Sequence, residues 1–218
     1  MRGTVLRLVH RFLKRAIAAA IVGGLLGSGC SSSSGVAGGP SKVRLDTAND
    51  PSVYGATVYV DGSVDESMYD AIVRTVGASR SRRIMLHLNS TGGLTKAGFK
   101  IVDYLKRLKR DGYTLTTYVD STCSSMCIPI FMQGQIRMAM PRSRWVFHDA
   151  SNSSGTDQRD TARILNILSE SGADRDFLYD LILTDVFVGG HWTTYSGERL
   201  VAEQTNIVTD LVEPSREP

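Results

Sequence analysis

A chain of 218 residues, 42% hydrophobic and 22% charged, is long enough for one domain with a sizeable core and little more. Its formal charge of +3 is misleading, because Arg2, Arg7, Arg11, Lys14 and Arg15 sit in the first 29 residues with no acid among them; without them the chain has 20 basic against 22 acidic residues. So near-neutral a body gives no electrostatic reason to expect nucleic acid as a partner. Four histidines without ligand spacing argue against a metal site.

In chain order, a basic region to Arg15 is followed by the apolar run AIAAAIVGGLL and then by GSGC ending at Cys30, the pattern of an export signal. Eleven apolar residues fall short of the roughly 20 that span a membrane. A cysteine after small residues resembles the lipobox of bacterial lipoproteins, with Leu26 one position further from Cys30 than the usual pattern; lipidation at Cys30 is the favoured reading. Ordinary cleavage nearby, leaving a soluble periplasmic protein, is the alternative. Either places the chain in a bacterial cell envelope, and Ser31 after the cysteine favours the outer membrane. The expected organisation is a leader over residues 1–29, a Ser/Gly-rich tether over 30–52, an α/β domain over 53–214 and a short tail over 215–218.

Within the domain, ATVYVDGSV holds a strand, and ESMYDAIVRTVGAS puts Met68, Ile72, Val73 and Val76 on one helical face. RRIMLHLNS is the next strand, so the unit is β-α-β and its strands are parallel. After the turn NSTGG, TKAGFKIVDYLKRLKR directs Phe99, Ile101, Val102, Leu105 and Leu108 inward, and Asp111-Gly112 stops it. YTLTTYV is a third strand. CSSMCIPIFMQG is a short apolar helix in which Pro129 must stand at the start or cause a kink. RWVF is a fourth strand, delivering His148; the polar segment 152–160 reads as a loop before two helical stretches. SGERLVAEQ is a helix capped by Ser196, and NIVTDLVE a last strand.

Three segments then stand at strand ends, where chemistry gathers in α/β layers: NSTGG, CSSMC and the histidine of PRSRWVFH. Their order over residues 58–212 resembles the proteolytic subunit of the Clp protease and, more broadly, the Clp/crotonase-like superfamily. That family has N-S-P-G-G where NSTGG stands, A-S-M-G around its nucleophile where SSMC stands, and P-x-S-R-x-x-x-H where PRSRWVFH stands; the final WTTYSGERLVAEQTNIVTDLVE resembles its last helix and strand. The fold implied is ClpP/crotonase-like, stacked β-α-β units with a mostly parallel sheet and covering helices. The resemblance implies a serine hydrolase, most naturally a peptidase, with Ser125 as nucleophile and His148 as general base; the oxyanion donors would be the N–H groups of Met126 and of Gly92 or Gly93. No cofactor is implied.

The family's aspartate precedes the aromatic that opens the last unit, here Trp192. Asp185 is the nearest upstream acid and the chosen orienter of His148; His191, Asp180 and a dyad without an acid are the alternatives. Asp149 is expected to be an exposed charge, because neighbouring strand residues face opposite ways. His87 reads as a core or sheet-face residue. Cys123 and Cys127 bracket Ser125 and are either a disulfide fixing the nucleophile turn or two packed thiols; a cysteine nucleophile is a weaker option. Compared with the Clp subunit, the chain has fewer residues between His148 and the last unit, so ring stacking and an ATPase partner are not carried over. A monomer or small homo-oligomer is expected, held at the membrane by its lipid anchor and acting on peptide or protein substrates. The rivals are a crotonase-type acyl-thioester enzyme and a binding or scaffold domain without a competent triad.

Overall fold

The computed structural model describes residues 41–46, 55–153, 155–188 and 190–213, all in the unit Ala37–Pro218. The leader, Cys30 and most of the expected tether lie outside the described residues.

The first crossover builds as its pattern requires. Strand β2 (Ala56–Asp61) alternates buried Val58 and Val60 with half-buried Tyr59, helix α1 (Glu66–Ala78) buries Met68, Ile72 and Val76, and β3 (Arg83–Asn89) buries Ile84, Leu86 and Leu88. The Asp65 side chain caps α1 by accepting from the Met68 N–H, and the Ser67 hydroxyl beside it holds its carboxyl below the usual carboxylate range. Helix α2 (Thr95–Arg110) buries one face and carries Arg107, Lys109 and Arg110 in its last turn, where cations complement the helix dipole. Strand β4 (Thr114–Val119) follows.

The main sheet has the order β1-β2-β3-β4-β6-β11, with β1 at Lys42–Asp46, β6 at Ile136–Ala139 and β11 at Asp210–Leu211. Every pairing in it is parallel except β1 with β2. The edge strand β1 (Lys42–Asp46) corrects the expected tether, since it pairs with β2 from Lys42↔Asp61 to Asp46↔Thr57. Its KVRLD alternation suits an edge, with Lys42 and Arg44 exposed and Val43 and Leu45 packed on the core. On the sheet face opposite Val58 and Leu86, the His87 ring lies between Tyr59 and Tyr118 and 3.0 Å from Asp120. Buried Arg137 on β6 donates to the carbonyls of Ile207 and Asn206, fastening the C-terminal segment to the sheet; burial draws its guanidinium below its ordinary range.

A second sheet has the order β10-β7-β5, formed by β5 (Thr122–Ser124), β7 (Arg144–Phe147) and β10 (Thr193–Ser196). RWVF is therefore a strand, but not of the main sheet. The expected loop 152–160 contains the hairpin β8 (Ser151–Asn152) and β9 (Gly155–Thr156), then Asp157, which caps helix α4 (Gln158–Glu170). Helix α5 (Arg175–Leu183) and helix α6 (Gly197–Ala202), capped by Ser196, complete the order, α3 being the short helix Cys127–Phe131. Among the described residues no helix is long and apolar enough to cross a membrane.

Candidate active site

Ser125 stands between β5 and α3 with φ at 54°, the left-handed region that non-glycine residues seldom occupy. That one residue reverses the chain. Its N–H donates to the Val146 carbonyl of β7, and its carbonyl accepts from Ile128 at the start of α3. The Met126 N–H, next in the chain, donates to no protein acceptor among the described residues. Pro129 falls in the first turn of α3, where its missing N–H costs nothing.

The reversal also decides the state of the cysteines. Cys123 belongs to the strand and Cys127 to the helix, their Cα atoms are 5.3 Å apart, and a disulfide joins them. A helix running through Ser125 would have given poor side-chain vectors for bridging; the left-handed residue removes that obstacle. Both cysteines are buried. Beside them Ser124 Oγ is buried without a hydrogen-bond partner among the described residues.

The glycine turn packs directly on this junction. Ser90 ties it to the strands on either side: its N–H donates to Thr122, its carbonyl accepts from Ser124, and its hydroxyl donates to the Gly62 carbonyl. The Gly92 carbonyl accepts from Val64, and Leu94 donates back to the Val64 carbonyl. A Cβ on Gly92, with φ at 87°, would lie 2.6 Å from Ser125 Cβ and 3.0 Å from the Met126 nitrogen. On Gly93, with φ at 152°, it would collide with the Val64 carbonyl oxygen. Only glycine fits either place. The two differ as donors, because the Gly92 N–H is taken by Ser90 Oγ at 3.1 Å whereas the Gly93 N–H has no protein acceptor among the described residues.

His148 follows β7 and shares with Ser125 a narrow pocket otherwise lined by Ile128, Pro129, Phe147, Ile164, Leu168 and Phe187. The two side chains are not hydrogen-bonded to each other. Nδ1 of His148 lies 2.6 Å from the carbonyl oxygen of Asp149. A carbonyl only accepts, so Nδ1 is the nitrogen that bears a hydrogen toward it, and in the neutral imidazole this tautomer leaves the lone pair on Nε2, as a general base needs.

Among the described residues Asp185 makes no hydrogen bond to His148. It is the left-handed residue, φ 60°, that ends α5: its N–H donates to Ile182 and that of Val186 to Leu181, the paired bonds of a Schellman cap. Its side chain is exposed, as are those of Asp180 and His191. Asp149 reverses its expectation, being 3% exposed. Strand β7 ends at Phe147, so alternation does not reach Asp149; its Oδ2 accepts from Thr156 Oγ1 at 2.6 Å and from the Gly190 N–H at 3.2 Å. Against one face of the His148 ring lies Trp192, with ring centroids 4.8 Å apart and planes 17° from parallel. In the sequence Trp192 is only a landmark; what sets it beside His148 is the register that pairs Thr193 with Phe147. Among the described residues no three His, Cys, Asp or Glu side chains group as metal ligands.

Fold and site together define a layered α/β protein whose serine, histidine and glycine turn meet where strands end. The family model described as Clp protease matches residues 52–171, over half the chain, and the chain belongs to that family. Among curated relatives, ATP-dependent Clp protease proteolytic subunits are 27% identical in Carsonella ruddii (42% of this chain, 48% of that one) and 29% identical in Leuconostoc citreum (52% and 60%). The corresponding subunit of Streptococcus mutans is 24% identical, over 48% of this chain and 56% of its own. The chain thus spans about half the length of the curated relatives it matches. A solved ClpP1 variant from Listeria monocytogenes superposes with a TM-score of 0.54 at 18% identity, covering 70% of this chain and 88% of its own, a likeness of fold.

Proposed function

We propose that this protein is an exported serine peptidase that works without ATP. Ser125 Oγ attacks the scissile carbonyl, His148 Nε2 takes the hydroxyl proton, and the N–H groups of Met126 and Gly93 receive the oxyanion; His148 returns the proton to the departing amine, and water then releases the acyl group by the same steps. The observation that carries this reading is the Ser125 turn: a strained serine at a strand-to-helix junction, flanked by two N–H donors without acceptors among the described residues and sharing a pocket with a histidine whose Nδ1 is engaged by the Asp149 carbonyl. Catalytic hydrogen bonds often tighten only when substrate binds, which accommodates the separation of Ser125 and His148 here. The apolar lining of the pocket suits a small apolar side chain next to the cleaved bond.

Export is supported by the basic and apolar leader ending at Cys30, and independently by the Cys123–Cys127 disulfide, since such bonds persist outside the reducing cytosol. We place the chain at the cell envelope, anchored by lipid on Cys30, as a monomer or small homo-oligomer. The full chain, incubated with a mixed fluorogenic peptide pool in the absence of ATP, is expected to release fluorophore; Ser125→Ala and His148→Ala are expected to release essentially none. Equal release by all three would remove both residues from the reaction. A non-catalytic binding domain is the second reading, favoured by the exposed position of Asp185, and it predicts no release by any of the three.

A further inference from the structure

In this chain the space against His148 where an orienting acid would act is taken by other groups. Strands β7 and β10 pair Thr193 with Phe147, so the next pair outward is Trp192 with His148, and their rings stack. Trp192 is 71% exposed. Burial therefore cannot be what holds the indole in place. The restraint comes from the segment just before it, where the Gly190 N–H donates to the buried carboxylate of Asp149. The same carboxylate takes the Thr156 hydroxyl and so fixes the β8–β9 hairpin on the other side, while the Asp149 carbonyl takes the imidazole Nδ1–H. One residue thus holds the edge of the ring through its backbone and the loop carrying the indole through its side chain. The remaining groups around the shared pocket, apart from Ser125, are apolar, and His191 beside Trp192 is exposed.

We propose that Asp149 and Trp192 are positioning residues that together replace the third member of a triad, an inference that rests on His148 being the general base. When Ser125 Oγ bonds to the substrate carbon, its proton and the positive charge arrive on the imidazole while the carbonyl electron pair moves to the oxyanion. The indole face then lies parallel to an imidazolium, the arrangement in which an aromatic ring attracts a cation. The Asp149 carbonyl keeps Nδ1–H directed away from the serine throughout, so the proton is accepted and returned at Nε2 alone.

The test uses the full chain and the rate of covalent capture by a fluorophosphonate, separated into the maximal rate and the half-saturating concentration. Trp192→Ala and Trp192→Leu are expected to lower the maximal rate about tenfold and leave the half-saturating concentration within about twofold, with Trp192→Phe recovering most of the loss. Because Trp192 is exposed, these variants are expected to fold, and the ring-current displacement of the His148 Hε1 proton resonance, lost in Ala and Leu and kept in Phe, reports the stack itself. Asp149→Ala is expected to lose the displacement as well, through release of the Gly190 segment. Capture by Trp192→Ala at the parental rate overturns the inference while leaving Ser125 and His148 in place. A change confined to the half-saturating concentration also overturns it, making Trp192 a substrate contact. A parent that is not captured at all removes the peptidase reading, and this inference with it.

Discussion

The two halves of the candidate site are held by different means. Around Ser125 the chain is fixed covalently by Cys123–Cys127, by backbone bonds to Val146 and Ser90, and by a glycine turn too close to admit a side chain. Around His148 the restraints are one carbonyl, one ring stack on a largely exposed indole, and one carboxylate reaching a loop. A half that must present two N–H groups to an oxyanion gains from rigidity, because preorganised donors need no rearrangement during the reaction. A half that moves a proton tolerates a looser frame. The site is therefore predicted to be insensitive to small disturbance on the serine side until the turn itself is broken, and continuously adjustable on the histidine side.

The largest effect that would break this contrast is expected at the glycine turn. Gly92→Ala puts a methyl group against Ser125 Cβ and should reduce peptide hydrolysis roughly 10²- to 10³-fold, the scale of a lost oxyanion donor, with circular dichroism near that of the parent. Hydrolysis within a few-fold of the parent would show that the turn is not rigid. Next comes the clamp. Replacing both Cys123 and Cys127 by alanine should lower unfolding free energy by about 2 kcal/mol, the scale for closing so short a loop, and should slow hydrolysis as well. A loss of stability with no loss of rate would make the disulfide purely structural.

Smaller effects sharpen the picture. Ser124→Ala removes a buried hydroxyl that has no partner among the described residues and should raise stability by about 1 kcal/mol in a denaturant titration; a fall would reveal a hydrogen bond at that atom. Far from the site, Asp65→Ala should cost about 1 kcal/mol at neutral pH through loss of the α1 cap. Its folded carboxyl is held low, so the contribution is present above the ordinary carboxylate range and lost as pH falls through the lower folded value. The gap between parent and variant should close in acid, and a gap that widens there would contradict the assignment.

What could be read from the sequence follows the length of the signal. Helices α1 and α2 and strands β2, β3 and β4 carry several apolar residues in period, and the structure has them where that pattern falls. Strands β5, β6 and β10 have three or four residues each, too few to show a period, and the alternation of β1 is only five residues long; all four exist because a neighbour pairs with them. The same limit governs the site. Ser125, Met126 and the glycines are adjacent in short motifs, so their proximity is local or follows from consecutive strands. The partners of His148 depend on where β10 meets β7, more than 40 residues on, and on β7 ending at Phe147; neither is written in any local pattern. Asp185 stands out through the family register ahead of Trp192, and its left-handed cap of α5 gives its place in the chain a structural reason as well.

Intact-mass measurement of the full chain after exposure to a fluorophosphonate decides whether Ser125 is an activated nucleophile. One adduct is expected on the parent and none on Ser125→Ala or His148→Ala, with Cys123 and Cys127 still joined. A folded parent that gains no adduct, or one whose adduct survives in Ser125→Ala, would contradict that role for Ser125.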